Sequence, residues 1–341
     1  MKKTIFAAVV IAAAAILAWS WWHKNEQDTS NLEPFTFALD WTPNTNHTGI
    51  YVALNKGWYK DQGIDLKILP YSDSTLPDVL VATGKADAGI GSTESTVSDA
   101  GVGSNVVSLA SIVAHNTSVI AVRKDSGITT PAQLDGKTFG GFGAPYEKAV
   151  MKQVIQNAGG QGDFKVVTVN TSPLQALKSG AVDFVWVFSG WEGIQAKHEG
   201  LQLRTFKQTD YGMPDYSTPN IISAPTTIKT KPELLKKFMS ATAKGYEYAR
   251  KHADESARIL IENTPPGTFT DQSLVYESQR YLSPRYQDPG LAWGVQKPSF
   301  WRLYPKFMLD KKTVLDASGK PVGSLDFDSL FTNKFLPRGR V

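Results

Sequence analysis

The sequence predicts an α/β protein of two lobes, each a mostly parallel sheet flanked by helices. Three observations carry this. Short strand and helix patterns alternate from Phe35 onward, and the alternation restarts near Gly136. Two segments echo one another: GKADAGIG (Gly84–Gly91) and SGAVDFVWV (Ser179–Val187) each follow a helix pattern with a Gly-x-x-Asp turn into an apolar strand. The chain also has 341 residues, more than one ordinary core serves.

The elements follow in order. FTFALD (Phe35–Asp40) reads as a strand, and HTGIYVALNKG (His47–Gly57) has helical spacing with Gly57 as its stop. IDLKIL (Ile64–Leu69) alternates as a strand does, LPDVLVATG (Leu76–Gly84) is a helix, and ADAGIG (Ala86–Gly91) is a short buried strand. STESTVSDAGVG (Ser92–Gly103) opens with capping residues and reads as a helix, before the strands NVVSLASIV and SVIAVR. The second round runs through GKTFGGF (Gly136–Phe142), a helix over Ala144–Gly159 with Pro145 in its first turn, and the strand FKVVTVN. It continues with the helix SPLQALKSG, the strand AVDFVWVF (Ala181–Phe188) and the helix GWEGIQAKHEG. After Asn220 the strand IISAPTTI leads into long helices, PELLKKFMSATAKGYEYARKH (Pro232–His252) among them. No repeat of 20–50 residues is visible. A cleft between two such lobes is a preferred small-molecule site.

Lys2 and Lys3 precede an uncharged run from Thr4 to Trp22. A basic start followed by an apolar run reads as a cleaved export signal or as an uncleaved anchor, and both put the rest of the chain outside the cytoplasm. Residues 23–34 read as a polar tether. Composition narrows the class: 41% hydrophobic and 20% charged residues describe a folded globular protein. A net charge of +4, scattered along the chain, argues against a nucleic-acid partner. With no cysteine there is no disulfide and no thiolate chemistry, and no histidine pair has metal spacing.

Four stretches carry a family resemblance: DWTPNTNHTGIYVALNKGWYKDQGID (Asp40–Asp65), GKADAGIGSTES (Gly84–Ser95), the Gly136–Lys148 turn and GAVDFVWVFSGWEGI (Gly180–Ile194). Together they resemble the thiamine-pyrimidine-precursor synthases and related binding proteins, over about Phe35 to Phe331. That resemblance implies a type II periplasmic-binding-protein fold that closes on its ligand by a hinge. It implies lobe one over 35–122 plus 221–341 and lobe two over 123–220. It also implies a monomer that needs no cofactor, takes up a thiamine pyrimidine precursor of the formylaminopyrimidine or hydroxymethylpyrimidine type, and hands it to a membrane permease with its ATPase. An anion such as an alkanesulfonate, nitrate or taurine is the alternative ligand. A pyrimidine-precursor synthase is the alternative activity. The resemblance implies that such a synthase carries a lysine for pyridoxal phosphate and a histidine just after the strand matching ADAGIG, and a cysteine-rich iron-binding segment. Here that stretch reads Gly91-Ser92-Thr93-Glu94-Ser95, with neither residue.

Ligands of open α/β sheets lie at the carboxyl ends of strands, so the loops there supply the candidates. In Asp40–His47, Trp41 is a stacking face, Asn44 a donor and acceptor, and His47 a polar contact, while Asn46 reads as a helix cap. Glu94, in the first turn after ADAGIG, either meets the ligand or answers the helix dipole. In GGFGAPYEK, Gly143 offers a backbone amide and Tyr146 lines the cleft. The spacing is not that of a nucleotide loop. In WVFSGWE, Phe188 and Trp191 are aromatic walls, one indole of Trp186 and Trp191 reads as core, and Glu192 accepts hydrogen bonds from an amine and, where it is protonated, a neighbouring ring nitrogen. Tyr216 is a second stacking face.

Overall fold

The computed structural model describes residues 32–72, 75–104, 106–169 and 173–337. The export leader and most of the tether lie outside them. Glu33 and Pro34, read above as the end of the tether, open the first strand.

Among the described residues, ten strands form two sheets. The first holds β1 (Glu33–Ala38), β2 (Ile64–Leu69), β3 (Ala88–Gly91), β4 (Val107–Ser111) and β10 (Asn220–Ser223), in the order β2-β1-β3-β10-β4. The second holds β5 (Ser118–Arg123), β6 (Thr138–Gly141), β7 (Lys165–Thr168), β8 (Phe184–Phe188) and β9 (Leu203–Lys207), in the order β7-β6-β8-β5-β9. The two layouts match. In each sheet two parallel junctions are followed by two antiparallel ones, so one strand alone runs against the rest. That strand is β10 in the first sheet and β5 in the second, the strands by which the chain enters from the other sheet.

The sequence reading ran lobe one through Val122. The strand Ser118–Arg123 instead pairs with β8 and β9 inside the second sheet. An apolar run announces a strand but not which sheet takes it, because periodicity carries no long-range pairing.

Four helices flank the first sheet's early strands: α1 (Thr48–Asn55), α2 (Trp58–Asp61), α3 (Pro77–Ala82) and α4 (Thr93–Val102). The second sheet carries α5 (Glu147–Asn157), α6 (Pro173–Ser179) and α7 (Glu192–His198). The C-terminal part adds α8 (Pro225–Thr230), α9 (Pro232–Lys251), α10 (Ala253–Glu262), α11 (Gln272–Leu282) and α12 (Pro298–Asp310). Helix α12 does not belong to the first lobe's core alone: Trp301, Tyr304 and Met308 cluster with Phe139, Phe184 and Trp186 of the second sheet.

The echoed Gly-x-x-Asp turns do the same work in both halves. Gly84 and Gly180 end their helices at positive φ, 71° and 77°, where a side chain would be strained. Three residues on, Asp87 accepts from the Thr36 amide of β1 at 2.8 Å, and Asp183 accepts from the Thr138 amide of β6 at 2.8 Å. Each turn thus ties the incoming strand to a backbone amide of its parallel neighbour.

Helix α9 sets the position of α1. A Cβ at Gly245 would sit 2.0 Å from the Gly49 carbonyl oxygen, and a Cβ at Gly49 would sit 2.3 Å from the Tyr246 ring. Only two glycines permit so close a crossing. Tyr246 is fully buried, stacked on Trp293 at 4.3 Å, and its hydroxyl donates to the Asn46 carbonyl at 2.6 Å. Tyr286 donates likewise to the Thr45 carbonyl at 2.6 Å. The loop before α1 is therefore held from below by two tyrosines.

Gly245→Ala should cost about 3 kcal/mol or more, the upper end of overpacking penalties, because the clash is with backbone. Gly323→Ala, with open space around it and φ below zero, should stay within about 0.5 kcal/mol. Urea midpoints compare the two, and equal midpoints would contradict the crossing described here.

Candidate functional site

A cavity of about 210 Å³ opens between the sheets. Its walls come from the carboxyl ends of four strands: Trp41 beyond β1, Glu94 beyond β3, Phe142 beyond β6, and Trp191 and Glu192 beyond β8. Thr218 and Pro219, on the crossover into β10, close one side. The two pairs are equivalent in the two sheets, so the matched wiring aims both lobes at one space.

Seven of the ten expected residues line it: Trp41, Asn44, Glu94, Tyr146, Phe188, Trp191 and Glu192. Trp41 is half-buried and tilts against Tyr71 with centroids 5.2 Å apart. Trp191 meets Phe269 edge-on at 6.1 Å. Glu192 opens α7, and its Oε2 accepts from the Phe188 amide at 3.0 Å, which fixes the carboxyl at the strand end. Burial raises its pKa above the usual carboxylate value.

Three expectations are corrected. His47 is 0% exposed and does not reach the cavity. Its Nδ1 accepts from the Asn44 amide at 3.3 Å, which leaves Nε2 to donate to Asp40 Oδ1 at 2.9 Å. It positions Asp40, which does line the cavity. Tyr216 is buried, stacks on Tyr304 at 3.9 Å, and donates its hydroxyl to Glu94 Oε1. It is a support for Glu94 and not a stacking face. Gly143 gives its amide to Glu147 Oε2 at 2.8 Å. Glu147 also accepts from the Phe142 and Ala144 amides, at 2.9 and 3.0 Å. The glycine-rich loop spends these donors on its own carboxylate and has none of them left for a ligand.

The capping assignment is also reversed. Asn44 Oδ1 accepts from the Asn46 amide at 2.9 Å and Asn44 Nδ2 donates to the Thr42 carbonyl at 3.0 Å, so Asn44 is the cap and Asn46 lines the cavity. Ser92 and Ser95 form the expected capping box, with Ser92 Oγ accepting from the Ser95 amide at 2.9 Å. Sequence reasoning missed Asp40, Phe142, Glu147 and Trp186 as wall residues. Glu147 carried a signal, an acid just after a run of glycine amides. Trp186 carried none, since strand alternation does not separate a core ring from a cavity wall.

The electrostatics are one-sided. Four carboxyl groups line the cavity, Asp40, Glu94, Glu147 and Glu192, and among the described residues no lysine, arginine or histidine does. Glu94 is 5% exposed, and burial raises its pKa against the lowering effect of the Tyr216 hydrogen bond. Behind α4's first turn, Asp78 of α3 and Asp99 of α4 face each other. Burial pushes Asp78 up to about 6, and burial with the neighbouring Asp78 pushes Asp99 up to about 8. Ser95 Oγ donates to Asp78 Oδ1 at 2.9 Å and ties this pair to the turn that holds Glu94.

Two lobes around a cavity at strand ends define the periplasmic-binding-protein fold. The solved aliphatic sulphonate binding protein SsuA of Escherichia coli shares it, with a TM-score of 0.65 at 14% identity, covering 91% of this chain and 95% of that one. Residues 44–256 match the NMT1/THI5 like family, and the chain belongs to that family. Among its relatives, the formylaminopyrimidine-binding protein of Halalkalibacterium halodurans is 28% identical over 301 residues, 87% of this chain and 91% of that protein. The 4-amino-5-hydroxymethyl-2-methylpyrimidine phosphate synthase of Legionella pneumophila is 26% identical over 234 residues, 67% of this chain and 73% of that one.

The aspartate pair makes stability depend on pH. Unfolded aspartates titrate near 4, whereas the folded pair titrates at about 6 and about 8. Between those limits the folded state holds more protons, so stability falls as pH rises from about 4 to about 8. Asp99→Asn should raise the thermal midpoint at pH 8 and flatten this slope relative to the parent protein. An unchanged slope would contradict the raised titration of this pair.

Proposed function

We propose that this chain is an extracytoplasmic substrate-binding protein of an ABC importer, and that it captures a thiamine pyrimidine precursor. The observation that carries the reading is the cavity wall: four carboxyl groups among tryptophan, phenylalanine and tyrosine rings and, among the described residues, no cationic side chain. A flat aminopyrimidine takes stacking from the rings and gives N–H donors to the carboxyl oxygens. The formylaminopyrimidine-binding relative supports the same ligand class. The basic, apolar leader at Lys2–Trp22 supports export, and a permease with its ATPase is then the partner.

An anion such as a sulfonate, nitrate or taurine fits this wall poorly. It would call for arginine, lysine or free backbone donors, and three loop amides here are already taken by Glu147. The synthase reading loses support because Gly91–Ser95 holds no lysine or histidine and the chain holds no cysteine. The protein then binds and releases its ligand without turnover.

Titration calorimetry tests this. Formylaminopyrimidine or its hydroxymethyl analogue should bind with micromolar or tighter affinity. Glu192→Ala should weaken binding at least tenfold, since losing a buried partner of a charge-assisted bond costs about 1–3 kcal/mol or more. Tight taurine or sulfonate binding with no response to pyrimidines would overturn the ligand assignment. Release of a converted product would overturn the non-enzymatic one.

A further inference from the structure

Among the described residues, two side chains that line the cavity each hold a buried polar atom with no hydrogen-bond partner. One is Glu94 Oε2, an acceptor on the first lobe; the other is Trp186 Nε1, a donor on the second. Both residues are 5% exposed, so solvent reaches them poorly. Buried polar atoms almost always have partners, and an orphan pair on one cavity points to a ligand that supplies them. Each of the other cavity carboxyls has at least one oxygen engaged within the protein. Glu147 uses both oxygens on three amides, Asp40 is held by His47, and Glu192 Oε2 by Phe188.

The surroundings prepare these two atoms. Tyr216 donates to Glu94 Oε1, and Tyr216 is itself stacked on Tyr304 of α12. This leaves Oε2 without a hydrogen-bond partner, on a carboxyl held at its other oxygen. Trp186 is clamped in β8 by pairing with Ile120. Tyr146 stands edge-on to Trp186 at 6.2 Å and lines the same cavity as Glu94.

We propose that Glu94 and Trp186 together read one edge of the ligand, Glu94 Oε2 accepting from its amino group and Trp186 Nε1 donating to the adjacent unprotonated ring nitrogen. The inference rests on the cavity being the site for an aminopyrimidine, as proposed above. An amine beside a ring nitrogen presents the complementary donor–acceptor pair. The 4-oxo counterpart presents the reverse, a carbonyl acceptor beside a ring N–H, and meets like with like at both atoms. Because the two readers stand on different sheets, the same edge also links the lobes when it binds. Glu94 and Trp186 thus set which pyrimidine is accepted, and Tyr216 acts as a positioning residue for Glu94.

The test is calorimetry of 4-amino-5-hydroxymethyl-2-methylpyrimidine and its 4-oxo counterpart against three proteins. The unsubstituted protein should prefer the amino compound at least 100-fold. Glu94→Gln keeps an oxygen for Tyr216 and turns the reading atom into a donor. Trp186→Phe removes the indole N–H and keeps an aromatic ring. Each should weaken the amino compound at least tenfold and narrow the amino-to-oxo ratio by at least tenfold. Damage to the fold would weaken both compounds alike and leave the ratio standing, and that result would overturn the assignment. Binding of the amino compound that neither substitution alters would overturn it while leaving the proposed function intact. An unsubstituted protein that binds neither compound would overturn both.

Discussion

The crossing of α1 and α9 at Gly49 and Gly245 is the constraint on which the site depends. Two backbones approach so closely there that neither position accepts a Cβ. The crossing brings Tyr246 beneath the loop before α1, where its hydroxyl holds the Asn46 carbonyl. Tyr286 holds Thr45 from the same side, and Thr45 Oγ1 meets Ser278 of α11 at 2.5 Å. A loop fixed by C-terminal helices at three points can present Asp40, Trp41 and Asn46 to the cavity with little freedom. The interior is close-packed, so a shift in that crossing would be passed on to the cavity wall rather than absorbed.

The opposite wall uses a different device. Glu147 gathers the amides of Phe142, Gly143 and Ala144 and turns a flexible glycine stretch into a closed loop. Its charge is spent on structure, although it lines the cavity. Glu94 stands at the other extreme, with one oxygen supported by Tyr216 and the other left unpartnered. The four carboxyls therefore differ in role while sharing one space. Their burial raises three of them, Glu94, Glu147 and Glu192, above the ordinary carboxylate range. An acidic, aromatic cavity favours ligands that bring donors and flat rings.

Much of the fold was legible in the sequence because period-two and helical patterns survive in single segments. The echoed Gly-x-x-Asp turns disclosed matched wiring, and the structure gives the reason, an aspartate bonded to a threonine amide of the neighbouring parallel strand in each sheet. The sheet that takes β5 was not legible, since pairing partners lie far apart in sequence. Seven site residues were readable because they sit just after strands that could be recognised. The misreadings share one cause. His47, Tyr216 and Gly143 each carry the right chemistry on the right loop, and each spends it on a neighbouring residue: Asp40, Glu94 and Glu147. A sequence shows which groups are present near a site, but which of them are already satisfied depends on tertiary contacts. Trp186 is the converse, an apolar-looking strand residue whose one polar atom is left over.

On the proposed function, the acidic and aromatic cavity carries an aminopyrimidine outside the cytoplasm. The most direct measurement is mass spectrometry of the small molecules released when the full-length protein, recovered by cell fractionation, is denatured. The account predicts that the protein is found in the extracytoplasmic or membrane-attached fraction and releases a compound with the mass of a thiamine pyrimidine precursor. Recovery from the cytosol, or release of a sulfonate or another anion in its place, would contradict it.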